Sequence, residues 1–183
     1  EWQCCTYFLE ELINIMTKNI ESSNFLLRSV LTPEQDLIDL RIANGIISEI
    51  GGANTLEAGT SEILETSGLQ LLPGLVDLHT HLREPGKEDS ETIETGSRAG
   101  AKGGYTALVA MPNTTPAQDS IPVIEFVRAQ GRRAGLVEVV PSGCITVGRA
   151  GVALAPLADL ARNGVKIFTD DGSGVQDPAI MRR

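Results

Sequence analysis

LVDLHTHLREPGKEDSETIETGSRAGAKGGYTALVAM, Leu75 to Met111, reads as strand, helix, strand, and that reading decides the fold. Leu75–Leu78 is a short apolar run suited to a buried strand. The polar stretch from Asp89 carries Ile93 and Ala99 among charged and small residues and closes on Gly103-Gly104, a helix with its stop signal. Tyr105–Met111 is a second apolar strand. Strands joined by a helix in this way run parallel, because a crossover of that length returns the chain in the same direction.

Reading outward, the alternation continues. SIPVIEFVRAQGRRAG has apolar residues at helical spacing and a proline in its first turn; LVEVVPSGCITV is a third strand region; LAPLADLARNG is a helix ended by Asn163-Gly164; VKIFTDD is a fourth strand. The last residues, DPAIMRR, begin another helix. Four such units make half of a (β/α)8 barrel or a whole doubly wound sheet, and the dinucleotide fingerprint of the second is missing. The glycines at 103, 104 and 172 sit at helix ends and turns and belong to no G-x-x-x-x-G-K-[ST] phosphate loop. A half barrel leaves strand edges open, so the expectation is an α/β chain carrying the first four units, residues 73–183, of a longer protein.

Upstream, residues 16–72 show short apolar runs broken by turn residues, the texture of a small β module. Leu37–Ile42 and Ile46–Ile50 flank Ala43-Asn44-Gly45, a hairpin signal because Asn-Gly accepts the positive φ angles of a tight reversal. Residues 1–15 read as a translated leader: Met16 opens a natural-looking start, and Glu10-Glu11 just before it suit the purine-rich codons of a ribosome-binding site. An amphipathic N-terminal helix is the alternative there.

Composition narrows the function. Fifteen basic against twenty-four acidic residues give a net charge of −9, the wrong sign for nucleic acid or anionic lipid. No stretch is long and apolar enough to span a bilayer. Three cysteines, two of them adjacent, form neither a disulfide framework nor a metal finger and fit a reducing, cytoplasmic setting.

Both histidines of the chain, His79 and His81, lie at the end of the first parallel strand. Residues i and i+2 of a strand share a face, so the two imidazoles project together, with Asp77 one step earlier on the same side. Two neutral imidazoles at the C-terminal end of such a strand can hold zinc or a neighbouring metal, and Asp77 can orient a ring. H-x-H by itself is a weak motif, and two structural histidines are the lesser alternative.

The neighbours of the pair resolve the alternatives through a resemblance. PGLVDLHTHLREPG resembles the metal-binding signature of the amidohydrolase superfamily, and Arg-Glu-Pro-Gly narrows it to dihydroorotases; ETIETGSRAGAKGGYTALVAMPNTTP and FTDDGSGVQD extend it over most of Ile38–Arg183. The resemblance implies a metal-dependent hydrolase barrel of TIM type preceded by part of a composite β-sandwich. It implies reversible hydrolysis of dihydroorotate to N-carbamoyl-aspartate in pyrimidine synthesis, by hydroxide activated between two Zn2+ ions. His79, His81 and Asp171 match metal ligands, Asp171 as the bridging carboxylate; Arg83 and Asn113 match substrate-binding positions.

Each assignment has a plainer competitor: an ion pair of Arg83 with Glu84 or Glu88, a turn role for Asn113 before Pro116, a cap or turn for Asp170-Asp171. Lys166 is a rival bridge, since other amidohydrolases carry a carboxylated lysine at that place. The family completes its site with two further histidines and a proton-shuttling aspartate, which are expected downstream, so this chain alone is expected to be inactive. A homodimer and an association with aspartate carbamoyltransferase are further expectations. Other readings are a related cyclic amidase, allantoinase or hydantoinase, and a non-catalytic scaffold beside the carbamoyltransferase.

Overall fold

The computed structural model describes residues 24–183, and the leader or helix expected over residues 1–15 lies outside that range. The chain divides into two compact units between Pro73 and Gly74.

The first unit is a four-stranded sheet. Its strands are β1 (Phe25–Leu31), β2 (Leu37–Ala43), β3 (Ile46–Gly52) and β4 (Glu62–Glu65), in the order β3-β2-β1-β4. β1 runs antiparallel to β2 and parallel to β4. The hairpin forms where it was read: Ala43 pairs with Ile46, and both intervening residues take positive φ, 52° at Asn44 and 73° at Gly45. Phe25, Leu26, Val30 and Leu40 are buried.

A bulge interrupts the β1–β2 register between Leu27 and Val30, and Ser29 sits there at φ 58°. Asp39 holds it in place. Its fully buried carboxylate accepts hydrogen bonds from the backbone N–H groups of Ser29 (3.0 Å), Asn54 (3.0 Å) and Leu56 (3.2 Å), and from Arg28 at 3.2 Å. Burial alone pushes this carboxyl group up, but the three backbone donors and Arg28 together outweigh it, so the group titrates below its ordinary 3.8.

The second unit alternates strand and helix: β5 (Leu75–Thr80), α1 (Ile93–Lys102), β6 (Tyr105–Ala110), α2 (Ile121–Ala134), β7 (Glu138–Pro141), α3 (Leu157–Arg162) and α4 (Pro178–Arg182). The three strands form one parallel sheet in the order β5-β6-β7. Local chemistry sets the helix ends. α1 starts at a reciprocal cap in which Thr92 and Thr95 each accept the other's backbone N–H, and α2 ends at Gly135 in the left-handed conformation, φ 64°. Leu82, Ile93, Leu108, Ala110, Val127, Val137 and Val139 make one core cluster; Ile124, Ala155, Leu160 and Val165 make a second. The two helices crossing the sheet lie close to it: a Cβ added at Gly131 of α2 would stand 2.6 Å from Cβ of Val139.

Two expectations need correction. β5 is not buried: Leu75, Val76 and Leu78 are 50%, 55% and 67% exposed, because the strand lies at the sheet edge and pairs on one side only. The fourth strand, Val165 onward, forms no ladder. It meets β7's extension through one parallel bridge, Gly143 with Phe168, in which Gly143 N–H donates to Ile167 O and Thr169 N–H donates to Gly143 O, both at 2.9 Å. In a parallel strand every second residue faces the same neighbour, and Ser142 indeed turns the other way, to Ala110 O at 3.1 Å. The residue two before Gly143 is Pro141, which has no N–H to give, so the next donor a ladder would use on this side is missing.

Candidate metal centre

The parallel strands end together, and their C-terminal ends carry the polar residues that the sequence singles out. His79 lies in β5 and His81 one residue past it. Thr80, between them, fastens this end of β5 to its neighbour: its hydroxyl donates to Val109 O at 2.8 Å, and its carbonyl accepts Met111 N–H at 2.8 Å. That second bond carries the pairing past β6 and delivers Pro112-Asn113 beside the imidazoles. Asp171 arrives from the segment that bridges to Gly143.

His79 Nε2 lies 3.2 Å from Asp171 Oδ1, and His81 Nε2 lies 3.7 Å from Asp171 Oδ2. The imidazole centroids are 5.2 Å apart with the rings inclined at 72°. One donor atom from each of the three residues falls within 4.8 Å of the others. Ligand atoms about 2.1 Å from a tetrahedral zinc ion stand about 3.4 Å from one another, so two imidazole nitrogens and a carboxylate at these spacings fit a cation between them. The cluster is open to solvent on one side: the His79 side chain is 58% exposed, that of His81 31% and that of Asp171 16%.

Asn113 is drawn into the same group. Its Oδ1 lies 3.1 Å from His81 Nδ1, and its Nδ2 donates to Asp171 Oδ2 at 3.1 Å. Asp77 takes a different part from ring orientation: its carboxylate accepts the backbone N–H of His79 at 2.9 Å. Arg83, at φ 63°, makes no ion pair among the described residues. The carboxylates considered as its partners are engaged elsewhere, Glu84 with Ile93 N–H and Glu88 with Gly86 N–H, each at 2.8 Å. Lys166 lines a groove of about 650 Å³ with Arg128, Arg132 and Glu138 beside the start of β7, a groove that His79, His81 and Asp171 do not line.

Two contributors carried no signal of their own. Asp170 is buried and fastens Asp171's segment to the loop after β7, accepting N–H bonds from Ile145 (2.8 Å) and Thr146 (3.1 Å) and the Thr146 hydroxyl. Arg149 donates to the main-chain oxygen of Asp171 at 2.6 Å. The aspartate pair was visible as a pair; that its first member is an anchor needed the loop 25 residues earlier to be in place. Cys144, close by, is fully buried, and burial, then the charges of Asp119 and Asp170, push its thiol up to about 12, which disfavours the thiolate form.

Residues 68–183 match the family model described as dihydro-orotase-like. The chain belongs to the dihydroorotase-like family. Among its dihydroorotase-like relatives, the dihydroorotase of Mycobacterium leprae is 48% identical over 161 residues, covering 86% of this chain and 37% of the relative. That of Streptomyces coelicolor is 50% identical over 153 residues, covering 82% and 34%. The chain therefore spans about a third of the length of the curated dihydroorotases it matches. In fold it resembles an L-hydantoinase from Arthrobacter aurescens, with a TM-score of 0.64 at 19% identity over 79% of this chain and 32% of that one.

Proposed function

We propose that this chain is the N-terminal part of a dihydroorotase, the enzyme that opens the dihydroorotate ring to N-carbamoyl-aspartate and closes it again. The observation that carries the reading is the convergence of His79, His81 and Asp171 at the C-terminal end of a parallel sheet, in a family member whose β5–β6 segment holds the signature residues. We extend it to the fold: the sheet is the first part of a (β/α)8 barrel, and the first unit is part of a β-sandwich domain.

In the hydrolytic direction the ring amide C–N bond breaks, the water oxygen joins the carbonyl carbon, and the nitrogen leaves protonated as part of the carbamoyl group. Two divalent cations, zinc by the preference of imidazole and carboxylate donors, supply a lowered pKa for water and polarisation of the carbonyl. The chain's own residues bind and orient. Asp171 turns its two oxygens toward different imidazoles, Oδ1 to His79 and Oδ2 to His81, which suits a bridging carboxylate. That Lys166 lines a separate groove, while Asp171 faces both imidazoles, favours Asp171 over a carboxylated lysine as the bridge. Arg83, unpaired with any described carboxylate, has a planar fork suited to the substrate carboxylate. Asn113 keeps one N–H for substrate after its bond to Asp171. The remaining metal ligands and the proton-shuttling carboxylate come from the part of the enzyme beyond this chain. A homodimer, an association with aspartate carbamoyltransferase and a cytoplasmic location complete the proposal; no helix among the described residues is long and apolar enough to cross a membrane.

The test is turnover of dihydroorotate by the full-length protein. His81→Ala and Asp171→Ala are expected to lower kcat/KM by more than about a hundredfold, because each removes a ligand that nothing else replaces. Preference for hydantoin or allantoin, which lack the ring carboxylate, would overturn the assignment, as would unchanged activity in both variants. The 183-residue chain with added zinc is expected to show no turnover.

A further inference from the structure

The polar groups around His81 can be arranged in only one way, and that arrangement assigns a proton. A carboxylate accepts hydrogen bonds and donates none, so the atom of Asn113 that faces Asp171 Oδ2 at 3.1 Å has to be the amide nitrogen. The amide is planar and its oxygen lies on the other side, where it stands 3.1 Å from His81 Nδ1. An amide oxygen also only accepts. His81 Nδ1 must therefore carry the hydrogen, and a neutral imidazole with Nδ1–H has a bare lone pair on Nε2.

Among the described residues no group donates a hydrogen bond to that lone pair. Nε2 of His81 stands 3.7 Å from Asp171 Oδ2, acceptor toward acceptor with no hydrogen between them. Two such atoms repel unless a cation lies between. His79 differs: its Nε2 is nearer to the carboxylate, at 3.2 Å from Oδ1, and no described side chain binds its Nδ1, so it is free to donate through Nε2–H.

We propose that Asn113 is a positioning residue that locks His81 in the Nδ1–H tautomer and ties it to Asp171, holding Nε2 ready to bind a metal ion. The role is separate from contact with substrate, for which Asn113 retains its second N–H. It rests on the reading of His79, His81 and Asp171 as metal ligands, but the tautomer itself can be measured without metal.

The chain's two histidines make the measurement simple, since histidine labelled with 15N gives only two imidazoles to assign. Long-range 1H–15N spectra of the metal-free 183-residue chain, taken at a pH high enough that the imidazole nitrogen shifts no longer change with added base, are expected to show His81 as Nδ1–H. Asn113→Ala should return His81 to predominantly Nε2–H, the form a free imidazole prefers. Asn113→Asp should keep Nδ1–H, because a carboxylate accepts that hydrogen as well, while losing the bond to Asp171. Calorimetric titration with zinc chloride should show affinity falling about 10-fold to 100-fold in Asn113→Ala. A wild-type His81 that is mainly Nε2–H, or a tautomer unmoved in Asn113→Ala, would overturn the proposal; should Asn113→Ala fail to fold, the wild-type and Asn113→Asp spectra decide it. A wild-type chain with Nδ1–H on His81 that takes up no zinc would support the lock and overturn the metal reading instead.

Discussion

Cys144 shows how completely a side chain's surroundings set its chemistry. Its sulfur is fully buried, 3.9 Å from Pro112 O, with two carboxylates near enough to oppose a thiolate. With a pKa of about 12, only about one molecule in ten thousand carries the thiolate at about pH 8. In a chain with Cys4 and Cys5 changed to serine, maleimide labelling at that pH is expected to be negligible until denaturant is added, when one equivalent reacts. Prompt labelling of the folded chain would show the site to be open. At this same scale the histidine pair was legible, because its spacing and the strand's two-residue period are local facts. Asp77 was legible as a neighbour but not in its choice of partner, since reaching a main-chain N–H or a ring nitrogen depends on the strand's twist.

Strands and helices obey the pattern wherever their determinants are near in sequence. Asn44-Gly45, the Thr92 cap and the Gly103 and Gly135 stops all act within a few residues, and the elements they bound lie where the spacing puts them. The fourth strand fails for a reason no window around it contains: the missing donor belongs to Pro141 of another strand, and pairing is a property of two segments. Gly131 is a similar case of long-range meaning. Within a helix, Gly→Ala gains about 1 kcal/mol of intrinsic propensity. At Gly131 the new methyl would stand 2.6 Å from Val139 Cβ, an atom fixed to the strand backbone, and such overpacking costs about 1–3 kcal/mol. The second effect wins, so Gly131→Ala is expected to lower the thermal midpoint; a rise would mean that α2 can lift from the sheet without loss.

For the molecule as a whole, acid stability follows from the first unit's buried carboxylate. Asp39 titrates below its ordinary 3.8 in the folded chain, so its stabilisation is complete above that value and disappears as pH falls through the lower, folded one. Thermal melts between about pH 3 and pH 7 should fall steeply at the acid end, and Asp39→Asn should flatten that slope while costing about 1–3 kcal/mol at neutral pH. Equal slopes in the two proteins would remove Asp39 from the account. Past the single Gly143–Phe168 bridge no ladder continues, so the chain moors Asp171 beyond it by guy-ropes, the Asp170 carboxylate and the Arg149 guanidinium. A carboxylate suspended like this can be retuned by altering its stays, while the woven part of the fold goes undisturbed.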